Sequence, residues 1–252
     1  MNKKTSYVCV LSTNNYLPGV LILNENLKDL NSKYDLLCLI NENINERTRR
    51  ILDFFKIKYK EMQSIDHPSE YGHWKYTFDK LNIYSLVEYE KIVYLDVDIV
   101  IKENIDELFD VEAPAACLDL PWYKDRLCSG ALVIKPNLND YFNLIGLLRK
   151  KQYDGDQDVL NDYYKKFTVL DKKYCVTRAL DLYNKPENEK LPIVPLIKYF
   201  DNEPADGKIF HYIGSIKPFM VNKPYDAEDY QLFKKYTNTI NKKIIEMMTG
   251  SK

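Results

Sequence analysis

Ile92-Val93-Tyr94-Leu95-Asp96-Val97-Asp98-Ile99-Val100-Ile101 is the stretch on which the fold turns. An uncharged run, Ile92 to Leu95, leads straight into an Asp-Val-Asp step, and Ile99 to Ile101 resume it. A continuous apolar segment of this kind fits a strand buried on both faces, as in a parallel sheet covered by helices. On an extended strand Asp96 and Asp98 point to the same side. They stand at its carboxyl end, where open α/β sheets bind ligands. Paired carboxylates there suit a hard divalent cation such as Mn²⁺ or Mg²⁺, held partly by substrate phosphates. A solvated loop with two ordinary acids is the alternative.

Working outward, the pattern alternates. Tyr7–Leu11 predicts a strand that breaks at Ser12-Thr13-Asn14-Asn15 and enters a helix with Pro18 in its first turn. Leu36–Ile40 predicts a second buried strand, a helix follows from about 45 to 55, and a third strand lies near 57–59. Phe78–Val87 has helical spacing, with Leu81, Tyr84 and Val87 on one face. Beyond the Asp pair, Ala115–Leu118 and Ala131–Ile134 read as strands, with helices near 138–150 and 156–166. Residues 170–207 read as a connection with short strands, 208–213 as a last strand, and the chain from Tyr230 as helix. Strands alternating with helices over the first hundred residues mean βαβ units and an α/β fold. With no repeat and no clean linker, one domain is expected.

The 252 residues carry 36 Lys and Arg against 37 Asp and Glu, a net charge of −1. That balance argues against a duplex nucleic-acid binder, which needs a basic surface to displace counterions. No GxGxxG or GxxxxGK[ST] occurs among the 8 glycines, so neither a dinucleotide loop nor a P-loop is available. No apolar run is long enough for a signal-peptide core or a bilayer span, which predicts a soluble, cytoplasmic chain. The five cysteines are widely spaced without a CxxC, so the spacing indicates neither a zinc site nor a disulfide framework. Cys9, Cys38 and Cys117 read as small buried hydrophobes.

A second cluster follows the last strand: His211-Tyr212-Ile213-Gly214-Ser215-Ile216-Lys217-Pro218-Phe219. A histidine at a strand end can be a third metal ligand. Gly214 allows close backbone approach, and Lys217 places a positive charge where a diphosphate could lie. Tyr94 to Val100 also resembles the strand-plus-DxD signature of haloacid-dehalogenase-like magnesium phosphatases, in which the first Asp is the nucleophile. That family adds a Gly-Asp with another Asp four residues on. Here Gly155-Asp156 is followed at that distance by Leu160.

Taken together, the blocks from Tyr7 to Phe219 resemble the glycogenin-like retaining glycosyltransferases, in the family's order. They comprise the opening strand and turn with Tyr16 and Gly19; Asp79-Lys80-Leu81; Tyr94 to Asp98, continued by Asn104-Ile105-Asp106-Glu107-Leu108-Phe109; Ser129-Gly130 with Pro136; Asp154-Gly155-Asp156-Gln157 with Leu160-Asn161; and the HxxGxxKP run. The resemblance implies a GT-A (Rossmann-like) single domain with a mainly parallel central sheet flanked by helices. A nucleotide-sugar-binding half would span about 1–110, an acceptor and metal-completing half about 111–219, and a helical segment 220–252. It implies a UDP-sugar donor and Mn²⁺ (or Mg²⁺) on Asp96, Asp98 and His211. Tyr16 and the Ser12-Thr13 turn would meet the uridine, with Gly214 and Lys217 on the phosphates, and Val10 and Val97 would also belong to the nucleotide-sugar site. Lys80, Cys128, Ser129, Asp154, Asp156 and Gln157 would line the sugar pocket, Asp156 or Gln157 being candidate catalytic residues. Cys128 stands where the family usually has Asn. The acceptor would be a glycan, a protein or a small polyol. A catalytically inactive nucleotide-sugar-binding module is the non-enzyme alternative.

Other features are read as ordinary. The 21 tyrosines fit strands and core, and none is singled out for self-glycosylation. The stripe Ile240, Ile244, Met247, Met248 beside Lys234, Lys235, Lys242 and Lys243 reads as a helix packed on its own domain. A homodimer face or a membrane-surface face is the alternative. His67 and His73-Trp74 are given no role.

Overall fold

The computed structural model describes residues 4–67, 76–119, 123–182, 195–199, 206–221 and 226–250; His73 and Trp74 lie outside them. The first half alternates as its sequence predicts: β1 (Lys4–Leu11), α1 (Leu17–Asp29), β2 (Leu36–Ile40), α2 (Glu46–Phe54), β3 (Lys58–Glu61), a 3-10 helix at Thr77–Ser85 and β4 (Tyr89–Leu95). β1 is parallel to both β2 and β4, and β2 to β3. Then come β5 (Ile99–Ile101), β6 (Ala115–Leu118), β7 (Leu127–Ile134), α3 (Leu138–Leu148), α4 (Asp156–Tyr163), β8 (Thr168–Val169), β9 (Val176–Leu182), β10 (Pro195–Tyr199), β11 (Ile209–Ile213) and α5 (Glu228–Thr249). The main sheet has the order β3-β2-β1-β4-β7-β6-β8, and a second sheet the order β10-β9-β11-β5. β7 runs antiparallel to β4, so the parallel half ends beside the Asp pair.

Helix starts follow local chemistry. Asn45 caps α2 by accepting from the Thr48 amide, and Asn137 caps α3 by accepting from the Asp140 amide, each satisfying an amide with no partner inside the helix. On β1, Tyr7, Cys9 and Leu11 enter one core, with Val20 and Leu23 of α1 and Phe233 of α5. Val8 enters the other, with Phe78, Leu81, Ile92, Leu144 and Leu160. That alternation is the strand's two-residue period, and it buries the sheet on both faces.

Two expectations are corrected. Phe78–Val87 is a 3-10 helix over Thr77–Ser85 rather than an α-helix. The run through Asp96-Val97-Asp98 is not one strand: β4 stops at Leu95, the Asp pair occupies a turn, and β5 joins the second sheet antiparallel to β11. The other edge of β5 is taken by α1, where the buried Asn26 side chain donates to Ile101 O (2.7 Å) and accepts from Ile101 N (2.6 Å). An amide side chain thus completes a strand edge that would otherwise leave buried backbone groups unpaired. No helix among the described residues is long and apolar enough to cross a membrane.

Candidate active site

Three chain ends meet beyond the carboxyl edge of β1 and β4: the Ser12-Thr13 turn, the Asp pair, and the end of β11 with its following loop. Between them lies a cleft of about 500 Å³. Its lining includes Val10, Ser12, Thr13, Tyr16, Lys80, Asp96, Val97, Asp98, Asp156, His211, Gly214 and Lys217. Of the remaining sequence candidates, Cys128, Ser129, Asp154 and Gln157 do not line it. Ser129 and Gln157 stand behind Lys80, where the Ser129 amide donates to Gln157 Oε1 (3.0 Å) and Gln157 Nε2 donates to Asp119 Oδ2 (2.8 Å). Asp154 faces a separate depression beyond α4. Cys128 is buried behind His211, its Sγ 3.3 Å from Cys175 Sγ.

The turn brings the two carboxylates to one histidine, although they do not share a strand. His211 Nε2 lies 3.1 Å from Asp98 Oδ1 and 3.6 Å from Asp96 Oδ2. One ligand atom from each of the three residues falls within 4.8 Å of the others. Asp98 Oδ1 is buried without an aligned hydrogen-bond donor, an expensive condition for a carboxylate unless a cation completes it. Two carboxylates and one imidazole form an oxygen-rich donor set that suits Mg²⁺ or Mn²⁺. The residues fit a divalent cation.

Fixed cations surround the pair. Lys217 Nζ contacts Asp98 Oδ2 (2.5 Å) and the Tyr212 carbonyl (3.0 Å). Lys80 Nζ contacts Asp156 Oδ2 (2.7 Å), Asp96 Oδ1 (3.1 Å), and Ser129 Oγ and O (both 3.1 Å). Burial opposes the charged forms of Asp96, Asp98 and His211, and the neighbouring charges outweigh it at Asp98 and His211. Asp98 is held below the usual carboxylate range because Lys217 and His211 outweigh its desolvation. His211, which burial alone would lower, is pushed up to about 10 by Asp98. Asp96 goes the other way: desolvation and the neighbouring Asp98 raise it against Lys80.

Several residues that hold this geometry escaped the sequence reading of the site. Tyr94, a lining residue, donates its hydroxyl to Asp96 Oδ1 at 2.5 Å. Asp79 is fully buried beneath the cleft and accepts from Ser12 Oγ (2.6 Å), Asn41 Nδ2 (2.9 Å), Ser64 Oγ (2.9 Å) and the Ile65 amide (2.7 Å). Ser12 is therefore tied to the floor. Gly130 lies flat against His211: a Cβ there would sit 2.4 Å from Cε1 and Nδ1 of the ring. Gly19 packs α1 on the Asp turn, where a Cβ would come within 2.0 Å of the Val97 carbonyl. Gly214 has φ +83°, a conformation that only glycine adopts without strain. Gly19, Gly130 and Gly214 stand in the sequence blocks, but nothing local says what each one touches.

Comparison with known proteins gives this arrangement a family. Human glycogenin-1 is 27% identical over 236 residues, covering 88% of this chain and 64% of its own length. Inositol phosphorylceramide glucuronosyltransferase 1 of Arabidopsis thaliana is 28% identical over 171 residues, 66% of this chain and 31% of its own. The chain thus spans between about a third and two thirds of these relatives. Among solved structures, the galactosyltransferase LgtC in complex with donor and acceptor sugar analogs superposes with a TM-score of 0.69 at 16% identity, covering 93% of this chain and 95% of that one. The shared architecture is the GT-A fold. The haloacid-dehalogenase-like alternative finds no support in these matches. Residues 7–144 match the pattern of Glycosyl transferase family 8, and the chain belongs to that family.

Proposed function

We propose that this protein is a metal-dependent, retaining hexosyltransferase that takes its sugar from a UDP-sugar, with glucose the first candidate. The observation that carries the reading is the convergence of Asp96, Asp98 and His211 at a cleft that Lys217 and Lys80 also enter. Those three residues would hold a divalent cation, Mn²⁺ first, which would supply positive charge against the negative charge that grows on the departing nucleotide. Lys217 adds a second fixed positive charge on the same side. Tyr16, Thr13 and Val10 offer the wall for a nucleoside, and Tyr16 packs edge-on against Phe219, two residues beyond Lys217 (6.1 Å between centroids). Asp156, at the start of α4, faces the cleft while bound to Lys80. Gln157 is turned away toward Asp119, which favours Asp156 as the group beside the reacting carbon. Front-face attack and double displacement both retain configuration and are both open to this arrangement.

The test is incubation with Mn²⁺ and a panel of UDP-sugars, measuring released UDP and transferred label. Cation-dependent UDP release that Asp98→Asn abolishes is the expected result. Binding without turnover across glycan, protein and polyol acceptors would favour an inactive binding module. Phosphate release from simple phosphomonoesters without UDP-sugar binding would sink the transferase reading.

A further inference from the structure

His211 stands between two donor sets. Its Nε2 lies 3.1 Å from Asp98 Oδ1; its Nδ1 is buried without a hydrogen-bond partner, and two thiols lie beside the ring. Those thiols come from distant points of the chain. Cys128 lies on β7, Cys175 immediately before β9 and His211 on β11, so nothing in their spacing announces the cluster. Cys128 Sγ and Cys175 Sγ are 3.3 Å apart, and both fall within 4.8 Å of a His211 ring nitrogen. All three residues are buried, and Gly130 lies so close to the imidazole that a Cβ there would sit 2.4 Å from Cε1 and Nδ1.

We infer that Cys128, Cys175 and His211 Nδ1 form a second cation site, selective for thiophilic ions such as Zn²⁺ or Cd²⁺, and that this site and the Asp96/Asp98 site exclude each other. Two thiolates and an imidazole make a soft set that Mg²⁺ and Mn²⁺ do not favour, whereas the carboxylate side is hard. Three protein ligands leave a fourth position for water. Binding balances as one divalent ion taken up and three protons released, two from the thiols and one from the imidazolium ring. Exclusion follows from the ring itself. A neutral imidazole offers one nitrogen lone pair and carries its proton on the other nitrogen. An ion on Nδ1 leaves that proton on Nε2, 3.1 Å from Asp98 Oδ1, and removes the nitrogen ligand from the hard site. The exclusion rests on the reading of Asp96, Asp98 and Nε2 as that hard site; the thiolate site does not.

Cd²⁺ titration of the chelator-treated full chain tests both parts without any substrate. The readouts are the ultraviolet thiolate-to-Cd²⁺ charge-transfer absorbance, proton release in weak buffer, and Mn²⁺ binding by paramagnetic resonance. One equivalent of Cd²⁺ is expected to raise the absorbance, release three protons and weaken Mn²⁺ binding by roughly 10-fold or more, the scale on which a metal site responds to its surroundings. Cys175→Ala is expected to lose the absorbance and keep Mn²⁺ binding, and Cys128→Ala repeats the spectroscopic test should the first variant fold poorly. Cys9→Ala is the control, because Cys9 and Cys38 are paired across β1 and β2 as a second thiol pair; it should keep the absorbance. No absorbance, or absorbance that survives both Cys175→Ala and Cys128→Ala, overturns the site. Undiminished Mn²⁺ affinity beside bound Cd²⁺ overturns the exclusion. Absence of any Mn²⁺ binding overturns the exclusion together with the hard-site reading, and the thiolate absorbance then decides the site alone.

Discussion

The Lys217 ammonium and the Asp98 carboxylate form a buried pair, with Nζ 2.5 Å from Oδ2. Lys217 and a divalent cation therefore draw on the same carboxylate, and a diphosphate gives Lys217 another anion to meet. Lys217→Met is expected to act with opposite signs on two ligands. UDP binding should weaken by roughly 10-fold or more, the scale of one lost charge-assisted contact. Mn²⁺ binding without nucleotide should tighten, because Asp98 loses its competing cation. Calorimetric titration of each ligand checks this; parallel weakening of both would reject the competition.

Gly130 fixes the second relationship. Gly130→Ala would place a methyl group 2.4 Å from Cε1 and Nδ1 of His211, closer than any ordinary contact, and the ring must turn. Weakening of Mn²⁺ affinity by about 10- to 100-fold is expected, as when a group that orients a metal ligand is lost. The variant should still fold, since overpacking of this kind costs about 1–3 kcal/mol. Mn²⁺ titration alongside circular dichroism separates the two effects.

These relationships show where sequence reading reached and where it stopped. The apolar runs at Tyr7–Leu11, Leu36–Ile40 and Ile92–Leu95 carry their own burial, so the parallel core was legible. The sheet change at Ile99 was not, because β5 is as apolar as β4 and its partner, β11, lies more than a hundred residues away. Asp96, Asp98, His211 and Lys217 stood out by residue type and order. Tyr94 and Asp79 did not, since a tyrosine in an apolar run and an acid in a helical segment are ordinary until their contacts are known. The set of Cys128, Cys175 and His211 is the extreme case: Cys128 stood out only as a candidate for the sugar pocket and Cys175 not at all, and only the fold makes them neighbours of His211.

Tyr94 orients Asp96 through its 2.5 Å hydroxyl contact, and its ring also lies 5.0 Å from Lys80 Nζ. Tyr94→Phe keeps the ring and removes only the donor. Asp96 then loses the partner that turns one oxygen away from the cluster. Roughly 10-fold weaker Mn²⁺ binding is expected, with a stability loss of about 1 kcal/mol. Urea unfolding and Mn²⁺ titration measure the two, and unchanged Mn²⁺ affinity would show that Lys80 alone holds Asp96.

Asp106 belongs to a block that resembles the family, yet its contacts lie with Tyr7, Ser32 and Lys33 and not among the residues that line the cleft. It accepts from Tyr7 Oη (2.8 Å), Ser32 Oγ (2.8 Å) and the Lys33 amide (2.9 Å), tying β1 to the turn after α1. Burial opposes its charge, but these donors favour the carboxylate more strongly, and its pKa is lowered in the folded chain. A lowered folded value means that the contribution is full above the unfolded value near 4, and is lost as pH falls through the folded value. Asp106→Asn is therefore expected to destabilise the fold by about 1–2 kcal/mol at pH 7. The gap from wild type should close progressively below pH 4, where the native carboxylate takes up its proton. Urea unfolding of both proteins at pH 7, 5 and 3 measures it. A gap that stays constant down to pH 3 would mean that Asp106 acts by shape and hydrogen-bond count, and that its charge contributes nothing to stability.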